Sequence, residues 1–99
     1  MHPAERVRFV VETARAVLDD RLDATEAAQA ICLQAEQITP LLRGDRIDVT
    51  QAESDDVATR LRLLAEQVND KASGLPDADT VDAHVAIAEA IGTMSQALR

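Results

Sequence analysis

The sequence predicts one all-α domain over residues 1–99, an antiparallel bundle of about four helices at roughly 3–20, 24–39, 51–73 and 78–98. Three observations predict it. Eighteen alanines stand against three glycines and three prolines, and Ala loses least on entering a helix. Apolar residues recur at three- and four-residue spacing through most of the chain. Start and stop signals fall at the ends of those periodic runs.

The first helix begins near Pro3, where a missing N–H costs nothing. Val7, Val10, Val11, Ala14, Val17 and Leu18 then form one apolar stripe. Asp23-Ala24-Thr25-Glu26 reads as a capping box for the second helix, whose buried side carries Ala27, Ala28, Ile31, Ala35 and Ile38. Pro40 disfavours helical geometry at Thr39, so this helix should end or kink there. Residues 45–49 alternate charge with Ile47 and Val49 and are expected to lie extended. Thr50-Gln51-Ala52-Glu53 is a second capping box, and Val57, Leu61, Leu64, Val68 and Ala72 carry the third helix. Lys71 in its last turn suits the negative helix end, Gly74 suits a left-handed cap, and Pro76 stops propagation. Asp77 or Asp79 caps the fourth helix. Short connections make neighbouring helices antiparallel.

Composition excludes several classes. With 10 basic against 18 acidic side chains and a formal charge of -8, the chain lacks the clustered Lys and Arg that phosphate contacts need, so direct nucleic-acid binding is not expected. No apolar run approaches the ~20 residues that span a bilayer, and the start lacks the apolar core of a signal peptide. One cysteine, Cys32, allows no internal disulfide. The expected location is the cytoplasm. No cofactor is expected, because glycine-rich phosphate loops, nucleophilic triads and zinc-type His/Cys spacings do not occur.

His84 falls in the apolar arc of helix four and is expected to bond a neighbouring side chain or carbonyl. Cys32 is expected to be an inert, half-buried thiol. Glu53/Asp56 and Asp79/Asp82 are acidic i,i+3 pairs. Glu53-Ser54-Asp55-Asp56 resembles the second half of the Glu-x-x-Glu plus Glu-x-x-Asp pattern of all-α nucleoside triphosphate pyrophosphohydrolases. That resemblance implies a magnesium-dependent enzyme as a remote alternative. No Glu-x-x-Glu occurs on the preceding helix, and carboxylates in a first turn are favoured by the helix dipole anyway.

The acids are uneven along the chain. Asp45, Asp48, Glu53, Asp55 and Asp56 face only Arg46 in their segment, and Asp77, Asp79 and Asp82 have no basic residue after them before the last position. Such faces attract and steer a basic partner protein. The first reading is therefore a non-catalytic acidic module, an inhibitor that occludes a basic surface, with these eight acids as charge and Phe9 as an apolar anchor. Whether the two groups of acids converge is open at this stage. The alternative is a homodimer or other homo-oligomer built on helix four, whose apolar arc includes Ile87, Ile91, Met94 and Leu98 and whose Gly92 would permit close helix approach. Residues 17–28, running on to Ile31, resemble a segment of small bacterial all-helical proteins, some of them immunity-like. The resemblance carries no functional residue with it.

Overall fold

A computed structural model describes residues 3–43 and 51–98, with side chains for 5–40 and 55–98. It contains α1 (Pro3–Leu18), α2 (Ala24–Arg43), α3 (Gln51–Ser73) and α4 (Ala78–Ala97), and no strand among the described residues. The expected extended segment at 45–49 and the Thr50 cap lie outside those residues.

The first turn is built by Asp20, the one non-glycine residue with positive φ, at 59°, among those described. The Arg21 N–H donates to the Ala16 carbonyl at 2.8 Å and the Asp20 N–H to the Val17 carbonyl at 3.1 Å. That bond pair closes a helix when the residue between adopts the left-handed conformation, which Asp tolerates better than most side chains. Asp23 then caps α2, its carboxylate accepting from the Glu26 N–H at 3.1 Å. Asp77 caps α4 in the same way, accepting from both the N–H and the hydroxyl of Thr80.

Two expected helix ends are corrected. α2 does not stop at Thr39 but runs through Pro40 to Arg43. Pro40 lies in the last turn, where it removes a single intrahelical bond, and buried Ile38 holds the segment against the core. Gly74 is not left-handed. α3 ends instead through three-residue bonds, from the Gly74 N–H to the Lys71 carbonyl and from the Leu75 N–H to the Ala72 carbonyl, which need no positive φ.

α4 packs along both α3 and α2, whereas α1 packs on α2 and only sparsely on α3. Arg6 near the start of α1 meets Gln37 late in α2, and the buried Ser95 hydroxyl late in α4 donates to the Ala58 carbonyl early in α3 at 2.6 Å. These are the two expected antiparallel pairs. Across the pairs the helices run parallel: Lys71 at the end of α3 reaches the end of α1, and Cys32 of α2 meets Ala86 of α4. The core holds Val10, Val17, Ile31, Ile38, Leu61, Val68, Ile87, Ile91 and Met94, all fully buried.

The breadth of the apolar arc on α4 follows from this position between two helices. Ile87, Ile91, Met94 and Leu98 are all buried inside the single chain. They present no surface to a second copy, which corrects their assignment to a self-association face. Gly92 is not a close-approach site either, since a Cβ there would meet nothing within 4 Å.

Candidate functional site

The α1–α2 turn and the α3–α4 turn lie at one end of the bundle, facing each other across a cleft of about 340 Å³ lined by Asp20, Asp23, Lys71, Thr80 and His84 among others. Lys71 organises this end. Its ammonium donates to the Val17 carbonyl at 2.7 Å, the Leu18 carbonyl at 3.1 Å and the Asp20 carboxylate at 2.6 Å. All three of its protons are thus used. They satisfy the Leu18 carbonyl, add a second donor to the Val17 carbonyl that already accepts from the Asp20 N–H, and compensate the negative pole of α1. The hydrogen bond from Lys71, and then its charge, hold the Asp20 carboxyl below the usual carboxylate range. Bonds from the Thr80 hydroxyl and N–H do the same for Asp77.

His84 is 2% exposed, and its Nδ1–H donates to the Thr80 carbonyl at 2.8 Å, as expected of a histidine bonded to a nearby carbonyl. Its Nε2 is buried without a partner.

The same end gathers six exposed aspartates. Asp77, Asp79 and Asp82 on α4 are joined there by Asp19, Asp20 and Asp23 from the α1–α2 turn, a contribution that sequence reasoning missed. Local balance with Arg hid it: Arg21 is engaged by Asp19 at 3.2 Å and Lys71 by Asp20. Asp55 and Asp56 lie toward the opposite end, in the second turn of α3 and roughly 26 Å from its last residue at 1.5 Å per residue. Asp56 there engages Arg60 at 3.2 Å. The acids therefore form two patches. Asp45 and Asp48 lie outside the described residues, as does the side chain of Glu53. Phe9 is 41% exposed in the middle of α1.

A second concavity runs between the parallel helices α2 and α4. It measures about 480 Å³ and is lined by Cys32, Ala35, Glu36, Thr39, Pro40, Ala86, Glu89, Ala90 and Thr93. The Cys32 thiol donates weakly to the Ala86 carbonyl at 3.9 Å. Burial, followed by the Glu36 and Glu89 charges, pushes this thiol up, which disfavours the reactive thiolate. A third groove, between α1 and α3, is lined by Val7, Val11, Val57, Leu61 and Leu64 with Arg8, Arg15 and Arg60 at its rim.

Among the described residues no three His, Cys, Asp or Glu side chains converge where a metal ion could be held. No described helix is long and apolar enough to cross a membrane. Comparison of the chain with protein-family models, curated proteins and solved structures finds no match.

Proposed function

We propose that this chain is a non-catalytic, acidic helical module that inhibits a partner protein by docking on, and occluding, a basic surface. The observation that carries the reading is the charge at the Lys71 end. Six aspartates from two turns share one end of the bundle, where both basic residues of the turns, Arg21 and Lys71, are already engaged by Asp19 and Asp20. Asp79 and Asp82 stand exposed on α4, and Asp23 and Asp77 point cap-bound carboxylates outward. A net-negative end of this kind raises association rates with a basic surface and makes them fall with salt.

The footprint we propose is narrower than the one expected from sequence. Asp77, Asp79 and Asp82 belong with Asp19 and Asp23, and Asp55 and Asp56 do not share their face. The resemblance of residues 17–31 to immunity-like proteins falls on the α1–α2 turn, which supplies half of this end.

The test is affinity capture from a lysate, eluted in steps from about 0.15 to 0.5 M salt, a range over which exposed charge contacts are screened. It is run with the parent chain, with Asp79→Lys/Asp82→Lys, and with Asp55→Lys/Asp56→Lys. A basic protein lost by the first variant and kept by the second supports the reading. Capture indifferent to salt and to both charge reversals overturns it.

A further inference from the structure

The groove between α2 and α4 has a chemistry that the acidic ends do not explain. Its floor is made of small side chains, Ala35, Ala86 and Ala90, and the Cys32 thiol and Thr93 hydroxyl beside them already donate to the Ala86 and Glu89 carbonyls. Thr39 lines it while being 8% exposed, and its hydroxyl oxygen is buried with no partner. One residue on, Pro40 has no N–H to return to the Glu36 carbonyl, so the backbone there is short of a donor as well. Glu36 and Glu89 stand on the two helices that flank the groove, each close enough to the Cys32 thiol to act on it. No Lys, Arg or His lines the groove, and among the described residues neither glutamate is in an ion pair.

A site with two carboxylates, a donor-poor backbone and an apolar floor is matched by a cation on an alkyl stem. Of the two biological cations, guanidinium suits it better than ammonium, because its planar fork presents five N–H groups and can serve two carboxylates together. We infer that the α2–α4 groove seats an arginine side chain of a partner protein, its stem on Ala35, Ala86 and Ala90 and its guanidinium between Glu36 and Glu89. This deepens the docking reading and rests on it for the source of the arginine. It adds a specific anchor about two turns along α4 from Asp82, away from the end whose charge alone would attract any basic surface.

The experiment uses the full chain, labelled with ¹⁵N. Its amide spectrum is followed while two probes are added: the capped peptide acetyl-Leu-Ala-Arg-Leu-amide, and butylguanidinium. The expected result is saturable movement of the Cys32, Ala35, Glu36, Ala86 and Ala90 amides with the peptide, and weaker binding of butylguanidinium. Glu36→Gln/Glu89→Gln, at two exposed positions, should weaken the peptide at least about tenfold, the loss of one charge-assisted hydrogen bond or more. The inference is overturned if the groove amides do not move, or if the double variant binds as the parent does. Butylguanidinium binding as tightly as the peptide would overturn the assignment to a protein arginine in favour of a small free cation. Failure here with salt-dependent capture intact leaves the module reading standing. Groove binding intact with capture indifferent to charge removes that reading alone.

Discussion

Replacing Lys71 by Met tests the organisation of the acidic end most directly. Met keeps most of the aliphatic stem and removes the ammonium, so the Val17 and Leu18 carbonyls lose donors now at 2.7 and 3.1 Å. A hydrogen bond from a charged group contributes about 1.5–3 kcal/mol, and a cation at a helix end adds about 0.3–1 kcal/mol. Water entering the adjoining cleft can replace part of this, since the Lys71 side chain retains 20% of its exposure. The expected net loss is therefore about 2 kcal/mol rather than the simple sum. For a domain of this size that corresponds to a fall in Tm of roughly 8–16 °C. Urea unfolding followed by circular dichroism at 222 nm measures it, in about 0.1 and 0.5 M salt. The two carbonyl bonds are short-ranged, so most of the loss should survive high salt, whereas a loss residing in the exposed Asp20 pair would be screened. Lys71→Met within about 0.5 kcal/mol of the parent, or Asp20→Asn costing as much as Lys71→Met, would refute the reasoning.

The acid limb of stability should carry a signature of Asp20. Its carboxyl titrates below the ordinary value in the folded chain, first because of the Lys71 hydrogen bond, so its contribution is present above about pH 4 and is lost as pH falls through the folded value. Asp20→Asn should thus fall short of the parent at neutral pH and converge with it in acid, as read by urea midpoints across that range. Thr39→Val replaces a buried, partnerless hydroxyl by a methyl of the same shape and should stabilise by about 1 kcal/mol in the same assay. Gly92→Ala should also stabilise, by about 0.5–1 kcal/mol, because the added methyl meets no neighbour in mid-helix. Ile87→Glu and Met94→Glu should each abolish the cooperative transition, since an unpaired buried carboxylate costs several kcal/mol. Folded, merely dissociated chains on size exclusion would contradict that. Leu33→Glu, at an exposed position, is the matched control.

The helices were legible because each is specified locally. The Asp23 and Asp77 caps, the apolar spacing and the α1–α2 turn all lie within a few residues of what they control. Lys71 shows the limit of that legibility. Its place in a last turn could be read as a dipole effect on α3, but the carbonyls it bonds belong to α1, 53 and 54 residues away. The grouping of Asp19 and Asp23 with Asp79 and Asp82 was hidden for the same reason, because it depends on which turns share an end. The α2–α4 groove required the register of two parallel helices. The i,i+4 pair Ala86/Ala90 opposite Cys32 and Ala35 was the one signal that could have suggested it.

Besides the buried, partnerless Gln34 Oε1 and His84 Nε2, local rules break at Asp20 and at Thr39–Pro40, and these last two are resolved differently. Asp20 takes a backbone conformation that favours glycine, yet the chain compensates it: two backbone bonds close the turn and Lys71 engages the carboxylate. That departure has a structural cause and needs no other. At Thr39–Pro40 the chain places a proline inside α2 and buries a hydroxyl beside it without a partner. A Val at 39 would fill the same space more favourably. Where a chain keeps a costly polar group that its own packing does not use, function is the usual reason. The groove that Thr39 lines, flanked by Glu36 and Glu89, supplies one, because an arginine entering it would bring the donors this segment lacks. On this argument Thr39→Val should raise Tm and weaken binding of the arginine peptide together. A residue with a purely structural role would not separate the two in that way.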